Sequence, residues 1–164
     1  AVIAHEDDII CPPQSSRVDY EAEIGVVIGK RCKDVPEEEV ADYIFGYTAL
    51  NDVTARDIQK ADGQWTRAKS FDTFCPIGPF IDTGFCPDGK RIRSVLNTQT
   101  KQDANTKDML FKIPKLVSFI SACMTLLPGD VIATGTPEGI GPMRAGDIVE
   151  IMIDGLPTLR NFVK

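Results

Sequence analysis

The chain has 164 residues, 43% hydrophobic and 26% charged, which is enough apolar matter for one domain with its own core and too much for a disordered segment. Its net charge of −6, with Lys and Arg dispersed, argues against nucleic acid or an anionic membrane surface as partner, since either needs a concentrated basic face. No apolar run approaches the roughly 18 residues of a membrane span, and the first residues lack the basic and apolar regions of a secretion signal.

Residues 1–10 hold two short apolar patches split by His5-Glu6-Asp7-Asp8 and run into Pro12-Pro13, so abrupt an opening that it reads as the middle of a larger chain. From Tyr20 to Gly29 a β-branched run predicts a strand that starts exposed and becomes buried. Asp34 and Glu37 have capping-box spacing, with Asp34 as N-cap of a short helix over residues 37–42. Residues 43–51 read as a strand, and residues 53–61 as a helical turn or two. Residues 74–82 read as a strand that Pro76 and Pro79 confine to an edge or a bulge. Residues 91–97 alternate and predict another strand. Over residues 114–125, Leu116, Val117, Ile120 and Met124 recur at helical spacing, with Pro114 in the first turn. Residues 130–134 and 147–153 read as strands, and Asp154-Gly155 as the turn into a last strand over residues 156–163. Pro87-Asp88-Gly89 and residues 137–142 read as loops. Many short strands and few helices predict a mainly β, α+β domain spanning residues 1–164.

Five cysteines, Cys11, Cys32, Cys75, Cys86 and Cys123, are scattered singly without a metal-binding or redox pair, which suits a reducing compartment. His5 is the only histidine and has no serine or cysteine motif beside it, which argues against a Ser-His-Asp or Cys-His machine. The chemistry has to come from carboxylates and cations. Glu21 and Glu23 are two apart on a strand, so both point the same way, about 7 Å apart at their backbones. Such a pair is either two solvated carboxylates or two ligands of one cation. Asp52 ends an apolar strand and is either a third ligand or a cap for the helical turn after it. Three carboxylates without Cys or His favour a hard ion, Mg²⁺ or Mn²⁺, with Ca²⁺ as a further choice. Lys69 lies in the mixed aromatic and basic segment Trp65-Thr66-Arg67-Ala68-Lys69-Ser70-Phe71-Asp72, where its ammonium is either solvated or placed to neutralise an enolate or carboxylate. Arg56 offers a guanidinium fork to a carboxylate, or pairs with Asp57. Thr134-Gly135-Thr136-Pro137-Glu138-Gly139 presents hydroxyl and backbone N–H groups but lacks the spacing of a phosphate loop.

In order and spacing these pieces resemble one family. Tyr20-Glu21-Ala22-Glu23-Ile24-Gly25-Val26-Val27-Ile28-Gly29, Asn51-Asp52-Val53-Thr54-Ala55-Arg56-Asp57, Lys69-Ser70-Phe71-Asp72-Thr73-Phe74-Cys75-Pro76 and Pro128-Gly129-Asp130 with Thr134-Gly135-Thr136-Pro137-Glu138-Gly139 are similar to motifs of the fumarylacetoacetate hydrolase family. The closest branch holds acylpyruvate hydrolases, oxaloacetate decarboxylases and the isomerases, hydratases and decarboxylases of aromatic degradation. The resemblance implies a rolled, mixed β-sheet of barrel-like form in a homodimer, working in the cytoplasm, or in a mitochondrion in a eukaryote. It implies Glu21, Glu23 and Asp52 as metal ligands, Arg56, Gln59, Lys69 and Thr136 as substrate contacts, and catalytic parts for Lys69 and Arg56. Thr54 replaces the usual serine, and Asn97-Thr98-Gln99-Thr100 stands where relatives carry an Asn-Gly-like turn. The N-terminal lid that brings a catalytic His and Glu over the metal has no match, since His5-Glu6 does not fit that dyad.

The expected reaction acts on a 2-oxo or 2,4-dioxo acid: the ion chelates the carboxylate and 2-oxo groups, and the bond to C3 breaks through a pyruvate enolate. Hydrolysis of an acylpyruvate or fumarylpyruvate is favoured, with decarboxylation of oxaloacetate or isomerisation of a 2-hydroxymuconate-type acid as alternatives. A non-catalytic, metal-dependent dicarboxylate-binding domain is the rival reading.

Overall fold

The computed structural model describes residues 1–164, beginning with two short strands, β1 (Val2–Ile3) and β2 (Asp8–Ile9). They are followed by β3 (Val18–Tyr20) and β4 (Ala22–Ile28). Every residue of β4 is buried, as is Glu21 before it, so the Glu-x-Glu segment does not start exposed as its charges suggested. The reason is topological: β4 is an interior strand, flanked by β-structure on both sides. Asp34 is not an N-cap. Its φ of +52° is left-handed, where a cap needs extended backbone, and its carboxylate pairs with Lys33 instead. The expected helix is a 3₁₀ turn, Glu37–Tyr43, entered through Pro36.

Next come β5 (Ile44–Asn51), β6 (Thr54–Ala55), α1 (Arg56–Asp62), α2 (Thr66–Lys69) and β7 (Cys75–Asp82). β7 carries the expected irregularity, a register shift against β5 at Tyr47 and Ala49. β8 (Arg91–Leu96) and β9 (Gln99–Asn105) form a hairpin. Its two-residue turn, Asn97-Thr98, has positive φ at both positions, +49° and +70°, as a tight hairpin of this hand requires. The strand β9, unmarked by any apolar pattern, was not expected. Helix α3 (Ile113–Cys123) buries Ile113, Val117 and Ser121, while Met124 lies beyond its end and is exposed. The chain closes with β10 (Val131–Ala133), β11 (Gly141–Met143), β12 (Ile148–Ile153) and β13 (Leu159–Val163). β11 falls in a segment that reads as a loop.

One sheet runs β1-β7-β5-β4-β10, a second β2-β13-β12-β8-β9, and a small third β11-β3-β6. Two parallel pairs, β1 with β7 and β2 with β13, make the arrangement mixed. β12 packs across onto β4 and β5, and Ile24, Val26, Ala49, Val149 and Ile151 fill the space between. The result is the curled, half-barrel α+β fold that the sequence implies.

The chain changes sheet twice at one place. β4 pairs antiparallel with β5 in the first sheet, while β3 pairs antiparallel with β6 in the third. Glu21 is the single residue between β3 and β4, and Asp52 lies between β5 and β6. The two crossings are therefore neighbours. The Glu21 amide donates to Asn51 Oδ1 at 2.9 Å and the Asp52 amide to the Glu21 carbonyl at 3.0 Å, which pins the two acidic corners together.

Candidate active site

Strand alternation puts Glu21 and Glu23 on one face, and the corner adds Asp52: one carboxylate oxygen from each lies within 4.8 Å of the others. The Asp52 side chain caps no helix. α1 starts at Arg56, and the Asp52 carboxylate turns instead to Lys69. Short helix α2 delivers Lys69 beneath the corner, and the resulting cleft, about 480 Å³, also presents Arg56, Gln59, Trp65 and Thr136. Glu21, Glu23 and Asp52, expected as ligands, and Arg56, Gln59, Lys69 and Thr136, expected as substrate contacts, thus all open onto one cleft. His5 does not: its Nδ1 accepts from the Arg160 amide at 3.0 Å.

The cations are committed in a definite way. Lys69 Nζ donates to Glu21 Oε2 (2.9 Å), Thr54 Oγ1 (2.9 Å) and Asp52 Oδ2, so its three protons are all engaged. The hydroxyl kept by the Ser-to-Thr departure at position 54 is one of those partners. Arg56 does not pair with Asp57. It donates to Asp19 Oδ2 (2.9 Å), to Gln59 Oε1 (2.6 Å) and to Glu21 Oε1, leaving two N–H groups of its five without a protein partner. Because Arg56 takes the Gln59 oxygen, Gln59 faces the cleft as a donor.

Asp19, fully buried, also receives a bidentate bond from Arg17 (2.9 and 3.1 Å) and so anchors the Arg56 fork. Sequence pattern concealed it, because an acid inside Val-Asp-Tyr reads as the solvent face of a strand. Gly135 lies in the segment whose backbone N–H groups the sequence leaves without a named partner. Its N–H donates to Glu23 Oε2 at 2.7 Å, and the Thr136 hydroxyl donates to the Ala22 carbonyl at 3.0 Å.

Electrostatics mark the cluster as short of positive charge. Burial, aided by the negative charges of Asp52 and Glu21, pushes the Glu23 carboxyl up to about 8, against the Gly135 hydrogen bond. Burial also raises Asp52, even with the Lys69 ammonium beside it. For Lys69, burial works against the charged form, but hydrogen bonds and charge from Asp52 and Glu21 outweigh it and raise its value. Lys69 and Arg56 compensate Glu21 and Asp52, while Glu23 has no cation touching it. Three oxygen donors converging in a buried site with one carboxylate unneutralised suit a hard divalent cation.

Asp57 serves the site indirectly. Its carboxylate accepts from Ser15 Oγ (2.6 Å), the Ser16 amide (2.7 Å), Ser16 Oγ (2.8 Å) and the Ile58 amide (3.0 Å), tying the segment before β3 to the helix that carries Arg56 and Gln59. The Ser15 hydrogen bond and these others hold it well below the usual carboxylate range. Such a group contributes stability above its unfolded value, about 4, and that contribution is lost as pH falls below it. Asp57→Ala is expected to cost about 1–2 kcal/mol in urea unfolding at pH 7, with the gap narrowing as the medium is acidified through pH ~4 and below.

Comparison with known proteins places the molecule. An uncharacterised protein of Methanocaldococcus jannaschii is 57% identical over 164 residues, covering 100% of this chain and 69% of its own. A crystal structure of 5-carboxymethyl-2-hydroxymuconate delta-isomerase from Mycobacterium smegmatis superposes with a TM-score of 0.98 at 50% identity, covering 99% of this chain and 65% of that one. A fumarylpyruvate hydrolase from Pseudomonas aeruginosa, solved in complex with Mn²⁺ and pyruvate, gives a TM-score of 0.91 at 29% identity over 99% of this chain and 73% of its own. The chain thus spans about two thirds of the length of these relatives. The model of the C-terminal domain of fumarylacetoacetate hydrolase matches residues 1–164 throughout, and the chain belongs to that family.

Proposed function

We propose that the protein is an enzyme of 2-oxo acid chemistry that uses a divalent ion, Mg²⁺ or Mn²⁺, held by Glu21, Glu23 and Asp52. The observation that carries this reading is the convergence of three carboxylates with Lys69, Arg56 and Gln59 in one cleft. An ion bound there would act as a Lewis acid on the 2-oxo group, supplying several kcal/mol of charge stabilisation. The protein's own groups do the rest. Gln59, with its oxygen held by Arg56, donates to a substrate oxygen, and the two free Arg56 N–H groups receive a carboxylate. Lys69 keeps its proton in this setting and places positive charge where a pyruvate enolate oxygen would form, once a carboxylate releases one of its N–H groups. Trp65, largely exposed at the cleft mouth, offers a face for the distal part of a substrate.

Hydrolysis of an acylpyruvate is the reading we favour, supported by the likeness to a fumarylpyruvate hydrolase seen with Mn²⁺ and pyruvate. Isomerisation of a 2-hydroxymuconate-type acid is the second reading, supported by the 50% identity to a delta-isomerase. Decarboxylation of oxaloacetate uses the same enolate. The five unpaired thiols suit a reducing compartment such as the cytoplasm. The test is a pyruvate-release assay of purified protein with Mn²⁺ on acylpyruvates and oxaloacetate, beside a spectroscopic assay for isomerisation. Release from acylpyruvates alone supports hydrolysis. Mn²⁺ binding without turnover of any substrate supports the dicarboxylate-binding reading instead.

A further inference from the structure

We propose that Gln102, a fully buried side chain of β9, is a positioning residue that sets the distance between the ligand strand and the turn facing it. The proposal rests on the metal reading above. Gln102 Oε1 accepts from the Ala22 amide at 3.0 Å, and Ala22 is the residue between Glu21 and Glu23. Its Nε2 donates to Thr136 Oγ1 at 2.7 Å and to the Pro137 carbonyl at 2.8 Å. One side-chain amide therefore spans from the backbone between Glu21 and Glu23 to the turn whose Gly135 N–H holds Glu23 and whose Thr136 lines the cleft.

Two further features make the turn depend on such a contact. Behind it, on the opposite face of β4 from the carboxylates, lies a groove of about 390 Å³ bounded by Ile24, Thr134, Gly135, Thr136 and Pro137. The turn is backed there by open space and held by hydrogen bonds: Thr134 Oγ1 donates to the Ile24 carbonyl at 2.9 Å and Thr136 Oγ1 to the Ala22 carbonyl at 3.0 Å, while Gln102 ties it to β9. In addition, Gly139 (φ +97°) comes so close to β9 that an added Cβ would stand 2.5 Å from the Lys101 carbonyl oxygen. The turn is thus seated on residues 101 and 102 at two points. Gln102 also sets the sense of the Thr136 hydroxyl. With one lone pair taken by Gln102 and the proton given to Ala22, Thr136 Oγ1 meets a ligand as an acceptor, and a loosened turn would lose that orientation.

The experiment is calorimetric titration of Mn²⁺ into the wild type, Gln102→Met, Gly139→Ala and Ser94→Ala, with melting temperatures measured alongside. Ser94 Oγ accepts from the Gln102 backbone N–H at 3.1 Å, so its removal strips the same hairpin of a buried hydrogen bond without touching the turn. Gln102→Met and Gly139→Ala are each expected to weaken Mn²⁺ binding about 10- to 100-fold, while Ser94→Ala lowers the melting temperature and leaves the Kd near that of the wild type. Should Gln102→Met not fold, Gln102→Asn, one methylene too short to reach both Ala22 and Thr136, answers in its place with the same expected loss. Binding as tight as the wild type in both the Gln102 and Gly139 variants overturns the proposal. So does an equal loss in Ser94→Ala, which would mark the effect as general loosening. A wild type that binds no Mn²⁺ overturns the metal reading itself, and this proposal with it.

Discussion

Glu23→Gln is expected to abolish the thermal stabilisation that Mn²⁺ confers and, in the absence of the ion, to make the protein more stable above pH ~8 than the wild type. The first half follows from mass action. An ion present at about 100 times its Kd stabilises the folded state by about 2.7 kcal/mol, which for a chain of this length raises the melting temperature by about 5–10 °C. A neutral amide in place of the least compensated carboxylate exchanges one of three anionic donors for a weak carbonyl oxygen and removes most of that response. The second half follows from burial. With its carboxyl pushed from an ordinary 4.5 up to about 8, Glu23 favours folding only while protonated. That contribution is complete below pH 4.5 and lost as pH rises through about 8. Glutamine keeps the shape and never ionises. Melting curves in EDTA at pH 5 and pH 9, with and without Mn²⁺, test both halves. A variant that responds to Mn²⁺ like the wild type removes Glu23 from the ligand set.

The opposed signs explain why some of this site can be read from sequence and some cannot. A Glu-x-Glu pair on a strand declares a shared face through the two-residue period, and an acid at the end of an apolar strand declares a corner. Those are local signals, and Glu21, Glu23 and Asp52 carry them. That the carboxylates would be buried is not local, because it depends on β10 and the second sheet closing over β4. The same limit hid β9. Its residues, Gln-Thr-Lys-Gln-Asp-Ala-Asn, carry no apolar alternation, the one fully buried side chain being the polar Gln102, and their pairing with β8 is dictated by the Asn97-Thr98 turn rather than by hydrophobic pattern. Gln102 and Asp19 were hidden for a related reason. Each is a polar residue whose partners are distant in sequence, and polar residues on short strands read as solvent-facing until the fold supplies those partners.

Lys69→Met is the complementary case, in which ion binding and turnover are expected to part. Without a divalent ion the variant leaves Glu21 and Asp52 facing each other beside Glu23 with no ammonium between them, and removing one partner from a buried charge network costs about 3–5 kcal/mol. Mn²⁺ and the ammonium compensate the same carboxylates, so the ion should restore much of that loss. By the same reasoning it should bind the variant at least as tightly as the wild type, because the competing cation is gone. Turnover should not return. A positive group beside a developing oxyanion is worth about 10²- to 10³-fold in kcat, and methionine fills the space without the charge. Lysine→arginine at this position should not restore it either, since a planar fork cannot reproduce three donors converging from one nitrogen on Glu21, Asp52 and Thr54. Melting in EDTA and in Mn²⁺, calorimetric Kd values and kcat on whichever 2-oxo acid proves to be the substrate separate these effects. If metal-free Lys69→Met melts with the wild type and turns over within a few-fold of it, the ammonium is a bystander, and the charge balance argued for the cleft is wrong.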